Sequence, residues 1–303
     1  MYSIFSETLG KENVFFNEPM KNHTTFRIGG NADCFIKCSS EECAQKTANL
    51  CKENNIPLFI LGNGSNILVG DLGIRGVVLQ FDESFNSFEF DKVNCTVTAK
   101  AGVLLSKLAS SACREGMSGL ECISGIPGTL GGAIYMNAGA YGDEIGNHIE
   151  SVTFLDEDLS INTLSAKDCC FGYRKSIFTD TKKIILSAVI KFTPDEILLI
   201  KERMAEYTEK RVSKQPIDKY SAGSTFKRPE GNFAGTLIEK AGLKGKTMGG
   251  AQVSDKHAGF IINTGDATAA DVTELIKYVQ KTVYDDSGVN LEPEVKFVGD
   301  FSR

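Results

Sequence analysis

The chain has 303 residues, 42% of them hydrophobic, and 33 basic residues against 39 acidic ones give it a formal net charge of −6. A net negative chain is a poor partner for nucleic acid or for an anionic membrane surface, so we expect neither. The longest apolar run, residues 184–190, is far shorter than the roughly 20 residues that span a bilayer.

The N-terminus shows no basic head followed by an apolar stretch, so we expect no secretory signal and a cytoplasmic location. The nine cysteines include no Cys-x-x-Cys pair, and the chain has only three histidines. This spacing fits no common zinc or iron–sulfur pattern, so we expect no metal. Reduced thiols in the cytoplasm are the better interpretation.

The first elements alternate between strand and helix. Residues 35–37 and 56–61 have the composition of strands. Between them, Ser39 with Glu42 three positions later predicts the start of a helix that runs to about Asn54. Strand, helix and strand over about thirty residues predict a βαβ unit with a parallel pair.

The rest of the chain continues this mixed pattern. Thr193 followed by Pro194 and then Glu196 predicts a capped helix start, and apolar residues at helical spacing mark another helix near the end. The further predicted elements are strands at 77–81 and 95–99, a helix from Gly102 to Gly116, strands between 149 and 192, a helix from Thr193 to about Arg211, a helix carrying Val272, Leu275, Ile276, Val279 and Val283, and a terminal strand from Val289 to Phe297.

Two glycine-rich segments stand out against this pattern. Gly62-Asn-Gly-Ser-Asn66 directly follows a predicted strand, and its successive N–H groups could converge on an anion. A tight turn with no ligand is the alternative. The dinucleotide fingerprint Gly-x-Gly-x-x-Gly fails because Ile67 stands in place of the last glycine. The second segment, 124–133, lies in the glycine-rich stretch 117–147, and two such segments suit a diphosphate carried by an aromatic cofactor.

Seven segments of the sequence occur in an order that is typical of one family. They are 22–30, 62–69, 124–133, 137–142, 173–178, 222–229 and 291–295. In that order they resemble the UDP-N-acetylenolpyruvoylglucosamine reductase (MurB) family, in its shorter type II subclass.

The resemblance implies an α+β architecture, the vanillyl-alcohol-oxidase-type (PCMH-type) FAD-binding fold, with a C-terminal α/β substrate-binding domain. The implied domains are residues 1–80 and 81–194 for the two FAD-binding lobes and 195–303 for the substrate-binding domain. The C-terminal strand would return to the active site.

The resemblance also implies a reaction: reduction of UDP-N-acetylglucosamine enolpyruvate to UDP-N-acetylmuramate through noncovalent FAD, with NADPH as the hydride donor. The implied catalytic residues are Arg174, Ser224 and Glu294. The implied cofactor-binding residues are Gly62, Asn63, Gly64, Ser65, Asn66, Ser124, Gly125, Ile126, Pro127, Gly128, Thr129, Gly132 and Ala133. The implied substrate-binding residues are Tyr173, Lys214, Arg228 and His257.

Pattern alone gives the three catalytic residues ordinary roles. Glu294 would be a solvated charge on the terminal strand, Ser224 a structural residue of a glycine turn, and Arg174 an exposed cation. The resemblance alone singles them out. Position 228 departs from some family members, which carry Asn there.

Two other functions remain open from the residues. One is an FAD-dependent oxidoreductase of the same fold that acts on a small hydroxy acid, and the other is a flavin- or nucleotide-binding protein without catalysis. In each case we expect a small-molecule ligand and a monomer.

Overall fold

The structure is a computed structural model that describes residues 2–302. The chain forms two compact units, and it passes between them several times. Unit 1 comprises Met1–Phe15, Cys34–Asn63 and Val77–Lys210, and unit 2 comprises Phe16–Asp33, Gly64–Gly76 and Arg211–Arg303. The division into lobes 1–80, 81–194 and 195–303 stays a prediction.

Helices and strands alternate, as expected. Within the described residues the helices are α1 (Ser3–Leu9), α2 (Glu41–Glu53), α3 (Leu105–Arg114), α4 (Leu130–Met136), α5 (Ile197–Lys214), α6 (Ala234–Lys240) and α7 (Ala269–Ser287). The strands are β1 (Val14–Pro19), β2 (Asn31–Cys38), β3 (Leu58–Leu61), β4 (Ile67–Val69), β5 (Ile74–Phe81), β6 (Phe88–Asp91), β7 (Thr96–Lys100), β8 (Met117–Ser118), β9 (Gly139–Ala140), β10 (Asp143–Glu144), β11 (Ile149–Leu155), β12 (Ile161–Ser165), β13 (Ile184–Lys191), β14 (Thr193–Pro194), β15 (Tyr220–Ser221), β16 (Thr247–Met248), β17 (Ala251–Val253), β18 (Ile261–Asn263) and β19 (Lys296–Val298).

Unit 1 contains a five-stranded antiparallel sheet in the order β12-β11-β13-β7-β6. Its central strand β13 buries nearly every residue, which requires cover on both faces. Helix α4 packs against β13 and β7. The short helix inside the glycine-rich stretch, which periodicity did not predict, is therefore held on the sheet.

The predicted strand–helix–strand unit needs a correction. A four-stranded sheet has the order β1-β2-β5-β3, so β5 lies between the two strands that we expected to pair. The parallel pair is β3 with β5, where Leu58 aligns with Val77. The N-cap of α2 is Ser40 rather than Ser39, because Ser40 Oγ accepts from Cys43 N at 3.1 Å.

Unit 2 contains the sheet β15-β18-β17-β16, with α7 packed against β16 and β17. The five apolar residues that predicted α7 are all buried. Thr268 and Asp271 form a capping box at its start, and both oxygens of Asp71 accept from the N–H groups of Ala269 and Ala270, at 2.7 and 3.0 Å.

Two predicted elements are wrong in extent. Thr193 and Pro194 do not open a helix: they form β14, which pairs with β8, and α5 begins only at Ile197. The terminal strand does not run from Val289 to Phe297, since regular pairing covers only β19. Residues 292–295 take another path because their main chain bonds to Thr225 and Lys227 in a turn.

The state of the cysteines and the character of the helices are two further features of the described chain. All nine cysteines lie within the described residues and are free thiols. None of the helices between residues 2 and 302 is long and apolar enough to cross a membrane.

An ion pair joins the buried Glu121 carboxylate, in the turn before the second glycine-rich segment, to the partly exposed Arg203 of α5. The Glu121 carboxylate accepts from Arg203 Nη2 at 2.8 Å, from Ser118 Oγ at 2.8 Å and from Gly119 N at 2.7 Å, and Arg203 also bonds Asp195. Burial alone would raise the pKa of Glu121, but these hydrogen bonds outweigh it and hold the pKa below its ordinary value. The carboxylate therefore stabilises the fold in its charged form.

We expect Glu121→Gln to lower the free energy of unfolding at pH 7 by about 1.5–3 kcal/mol, the usual worth of hydrogen bonds to a charged group. The folded-state pKa lies below the unfolded one, so this stability is present above about pH 4.5 and is lost as the pH falls through the folded value. Urea unfolding at pH 7 and below pH 4.5 should therefore show a gap between variant and wild type that narrows in acid.

Glu209→Gln is the control, because Glu209 is an exposed glutamate of α5, the helix that carries Arg203. It should leave stability nearly unchanged at both pH values. A gap for Glu121→Gln that stays constant with pH would contradict the assignment.

Candidate active site

Gly62 and Asn63 follow β3 in unit 1 and lie against the second glycine-rich segment. A Cβ on Gly62 would stand 2.7 Å from Thr129 Oγ1, so a side chain there would force the two segments apart. Asn63 Nδ2 donates to Pro127 O at 2.8 Å. Unit 1 therefore brings the start of the first predicted cofactor segment against the second.

The remainder of that first segment belongs to unit 2. Gly64 has φ +61°, and a Cβ there would lie 2.1 Å from His23 O. Thr25 N donates to Gly64 O, and Lys296 N donates to Asn66 O. The bend is thus fixed through its carbonyl groups.

The main-chain N–H groups of the bend at residues 63–66 are available to a ligand. In the part of the chain that the structure describes, the main-chain N–H groups of residues 63–66 donate to no protein acceptor. Successive N–H groups of this kind form nests that bind phosphate oxygens. The residues present therefore fit the diphosphate of FAD.

The second segment presents its backbone unevenly. Gly125, Pro127 and Gly132 are exposed, whereas Ser124 and Ala133 are buried. Ile126, Gly128 and Thr129 are half-buried, and Thr129 Oγ1 caps α4 by accepting from Gly132 N at 3.3 Å. Ser124 Oγ donates to Glu121 O at 2.7 Å, so its donor proton is used inside the protein. Exposed backbone, rather than side chains, is what this segment offers a cofactor.

Arg174 occupies a tight turn in unit 1. Gly172 and Lys175 exchange two main-chain hydrogen bonds, which leaves Tyr173 and Arg174 at the tip. Arg174 has φ +56°, a conformation that costs a non-glycine residue energy and is held only by its surroundings. Its Nη2 donates to Gly139 O at 3.1 Å, and its guanidinium lies 5.2 Å from the Tyr173 ring centroid.

Ser224 and Glu294 are held together in unit 2. Glu294 N donates to Thr225 O at 2.8 Å, and Phe226 pairs with Pro293 in an isolated bridge. Ser224 is exposed, while Thr225 after it is buried. Among described residues, no protein group accepts from or donates to the Ser224 hydroxyl. The structure thus places an available hydroxyl next to the segment that carries Glu294.

His257 lies within electrostatic range of Lys214 in unit 2. Burial lowers the pKa of His257, and the positive charges of Lys244 and Lys214 act in the same direction. His257 Nδ1 accepts from Gly259 N at 3.1 Å, so the neutral ring carries its proton on Nε2. The ring therefore offers one N–H donor within electrostatic range of two lysines.

The other two predicted substrate residues are exposed. The Arg228 guanidinium lies 4.0 Å from the centroid of the Phe233 ring, and Tyr173 is 51% exposed. Each could meet a ligand without any rearrangement of the core.

Sequence reasoning gave no role to Asn137, which is 0% exposed and left-handed at φ 44°. The sequence feature that could have indicated it is an Asn between a short apolar stretch and a glycine-containing turn, because Asn at such a position is a common C-terminal helix cap. Its three hydrogen bonds could not be read from that signal.

Comparisons with known proteins agree over nearly the whole chain. A family model described as "FAD binding domain" matches residues 32–165, and one described as "UDP-N-acetylenolpyruvoylglucosamine reductase, C-terminal domain" matches residues 215–298. A reductase of that name from Clostridioides difficile is 47% identical over 96% of this chain and 95% of its own length. A reductase of the same name from Caldanaerobacter subterraneus is 48% identical over 97% of this chain and 96% of its own length. The chain belongs to the UDP-N-acetylenolpyruvoylglucosamine reductase (MurB) family.

Solved structures confirm the fold predicted for this MurB-family chain. The crystal structure of MurB from Thermus caldophilus superposes with a TM-score of 0.81 at 34% identity, covering 94% of this chain and 98% of that one. Alkyldihydroxyacetonephosphate synthase shares the fold alone, at a TM-score of 0.50 and 18% identity over 64% of this chain and 41% of that one. The resemblance, the FAD-binding fold and the class of FAD-dependent oxidoreductase are all confirmed.

We expect Gly64→Ala in this MurB-family protein to lower the flavin content of the purified protein by at least about tenfold. The new Cβ would meet a main-chain oxygen that cannot move aside, so the N–H groups of the bend would shift. The ratio of flavin absorbance to protein absorbance measures the loss.

Gly242→Ala provides the matched control. Gly242 has φ +72°, and a Cβ added there would have no neighbour within 4 Å, so the substitution carries the same backbone penalty without the clash. The Gly242→Ala substitution should lower the free energy of unfolding by about 1–2 kcal/mol. The variant should keep its flavin. Full flavin content in Gly64→Ala would refute the role of this bend.

Proposed function

We propose that this protein reduces UDP-N-acetylglucosamine enolpyruvate to UDP-N-acetylmuramate with FAD and NADPH. The observation that carries the proposal is the available Ser224 hydroxyl beside the Glu294 segment, in a chain that belongs to the MurB family. A hydroxy-acid oxidoreductase or a simple flavin carrier would need no such pair.

Residues 62–66 and the exposed residues Gly125, Pro127 and Gly132 would hold the cofactor. Bound FAD would supply hydride transfer from NADPH to the terminal carbon of the enolpyruvyl double bond. The protein must then stabilise negative charge at the carbon that bears the carboxylate and supply one proton there.

Arg174 suits the first task. A guanidinium binds a carboxylate in a fixed fork, and a charge-assisted hydrogen bond of this kind contributes about 1.5–3 kcal/mol. The strained turn and the Gly139 carbonyl restrict where the guanidinium can lie. Little reorganisation is then needed as the enediolate-like charge develops.

Ser224 suits the second task. Its hydroxyl has no partner among the described residues and is exposed, so its proton can point to a substrate. A hydroxyl is a weak acid, but the carbanion that it would protonate is a strong base. Glu294 would orient the substrate or return a proton to Ser224 after each turnover.

The remaining polar residues suit the sugar nucleotide. Lys214 and the Nε2–H of His257 supply positive charge and a donor for a diphosphate. Arg228 and Tyr173 are exposed enough to add contacts. The Phe233 ring limits the motion of Arg228, and the Tyr173 ring limits the motion of Arg174.

We also propose that the protein acts in the cytoplasm as a monomer on this small soluble substrate, without nucleic acid or membrane as a partner. The nine free thiols support a reducing compartment. Light scattering of the purified protein tests the oligomeric state.

We expect Ser224→Ala to leave flavin reduction by NADPH within about twofold of wild type and to slow its reoxidation by the enolpyruvyl sugar nucleotide by about 10²–10⁴-fold, the usual range for general-acid assistance. Anaerobic stopped-flow absorbance separates the two half-reactions. Ser221→Ala, three residues upstream in the same segment, should slow neither. Equal slowing of both half-reactions by Ser224→Ala would contradict its role as proton donor.

A further inference from the structure

Asn137 is a fully buried polar residue at the end of α4. Its φ of 44° and ψ of 58° are left-handed, a conformation that Asn tolerates better than other non-glycine residues. A buried polar side chain is costly unless its hydrogen bonds are made, so what Asn137 bonds to indicates its task.

The side chain uses both of its ends. Nδ2 donates to Gly172 O at 3.0 Å and to Glu144 Oε1 at 2.7 Å, while Oδ1 accepts from Gly146 N at 3.0 Å. Both donors meet acceptors and the acceptor meets a donor, so the amide orientation is determined. One side chain therefore ties three segments of unit 1 together.

One of these bonds holds the turn that carries Arg174. The Gly172 carbonyl accepts from Asn137 Nδ2 and from Lys175 N, and Gly172 with Lys175 closes the turn around the arginine. Because Arg174 is left-handed, it keeps its direction only while this turn is anchored.

The other bonds hold the site that receives the guanidinium. Arg174 Nη2 donates to Gly139 O, and Gly139 pairs with Glu144 across the β9–β10 hairpin. Glu144 and Gly146 are the two groups that Asn137 bonds on this side. The backbone of Arg174 and the acceptor of its head group thus depend on the same amide.

We propose that Asn137 is a positioning residue that fixes the direction of the Arg174 guanidinium for the reduction step. The inference rests on the function proposed for Arg174 and adds a residue that touches neither substrate nor cofactor. Asn137 acts by preventing the turn at 172–175 and the hairpin at 139–144 from moving independently.

The test compares Asn137→Gly and Asn137→Asp with wild type. Glycine suits the left-handed cap and removes all three bonds, whereas aspartate keeps the acceptor but loses both donors and faces Glu144 with like charge. Both should slow flavin reoxidation by the enolpyruvyl sugar nucleotide by about 10–100-fold, the cost of a small misplacement of a catalytic group. Flavin content and reduction by NADPH should stay within about twofold.

A double-mutant cycle shows whether Asn137 works through Arg174. If it does, Asn137→Gly should slow reoxidation by less than about threefold when Arg174 is already lysine, because the fork that it positions is gone. Independent, multiplicative effects would overturn the proposal, and so would equal slowing of both half-reactions. Asn147→Ala is the control, since the Asn147 side chain bonds only Asp143 among the described residues.

Hydrogen exchange tests the positioning without activity. The amides of Gly172 and Lys175 should exchange about five- to tenfold faster in Asn137→Gly and unchanged in Asn147→Ala. Unchanged exchange in Asn137→Gly would overturn the proposal. A wild-type protein that the sugar nucleotide cannot reoxidise would instead overturn the proposed function, and the exchange rates would then decide the role of Asn137 by themselves.

Discussion

Unpaired main-chain N–H groups at one bend are the feature on which the rest of this protein depends. The carbonyls of Gly64 and Asn66 accept from the main-chain N–H groups of Thr25 and Lys296, whereas the N–H groups of residues 63–66 have no acceptor in the described chain. A row of N–H groups attracts anions, and no side chain charge is needed. A net acidic protein can in this way hold a diphosphate.

Glycine makes that bend possible for a steric reason. At Gly64 a side chain carbon would overlap the His23 carbonyl, and at Gly62 it would crowd the hydroxyl of Thr129. The second contact has a further consequence, because Thr129 caps α4 and α4 ends at Asn137. The second glycine-rich segment, helix α4 and Asn137, which anchors the Arg174 turn, therefore follow one another along the chain within unit 1.

The candidate catalytic groups differ in how they are restrained. Arg174 sits in a strained turn with its head group bonded to a carbonyl, whereas the Ser224 hydroxyl is exposed and has no partner in the described chain. This difference matches their proposed tasks. A charge that stabilises a transition state acts best when it is fixed beforehand, and a proton donor must be able to turn toward its acceptor.

Local sequence patterns were enough to predict the glycine bend at 62–66, the helix with the Val272–Val283 stripe and, through seven ordered segments, the family. These signals are local, because periodicity and glycine spacing reflect steric rules within a few residues. The tertiary structure was needed to show that β5 separates β2 from β3, that Thr193 and Pro194 pair with β8, and that residues 292–295 bond to the turn around Thr225. It also decided what Asn137 does, because its partners at 144, 146 and 172 are set by packing over distances in sequence that no local pattern records.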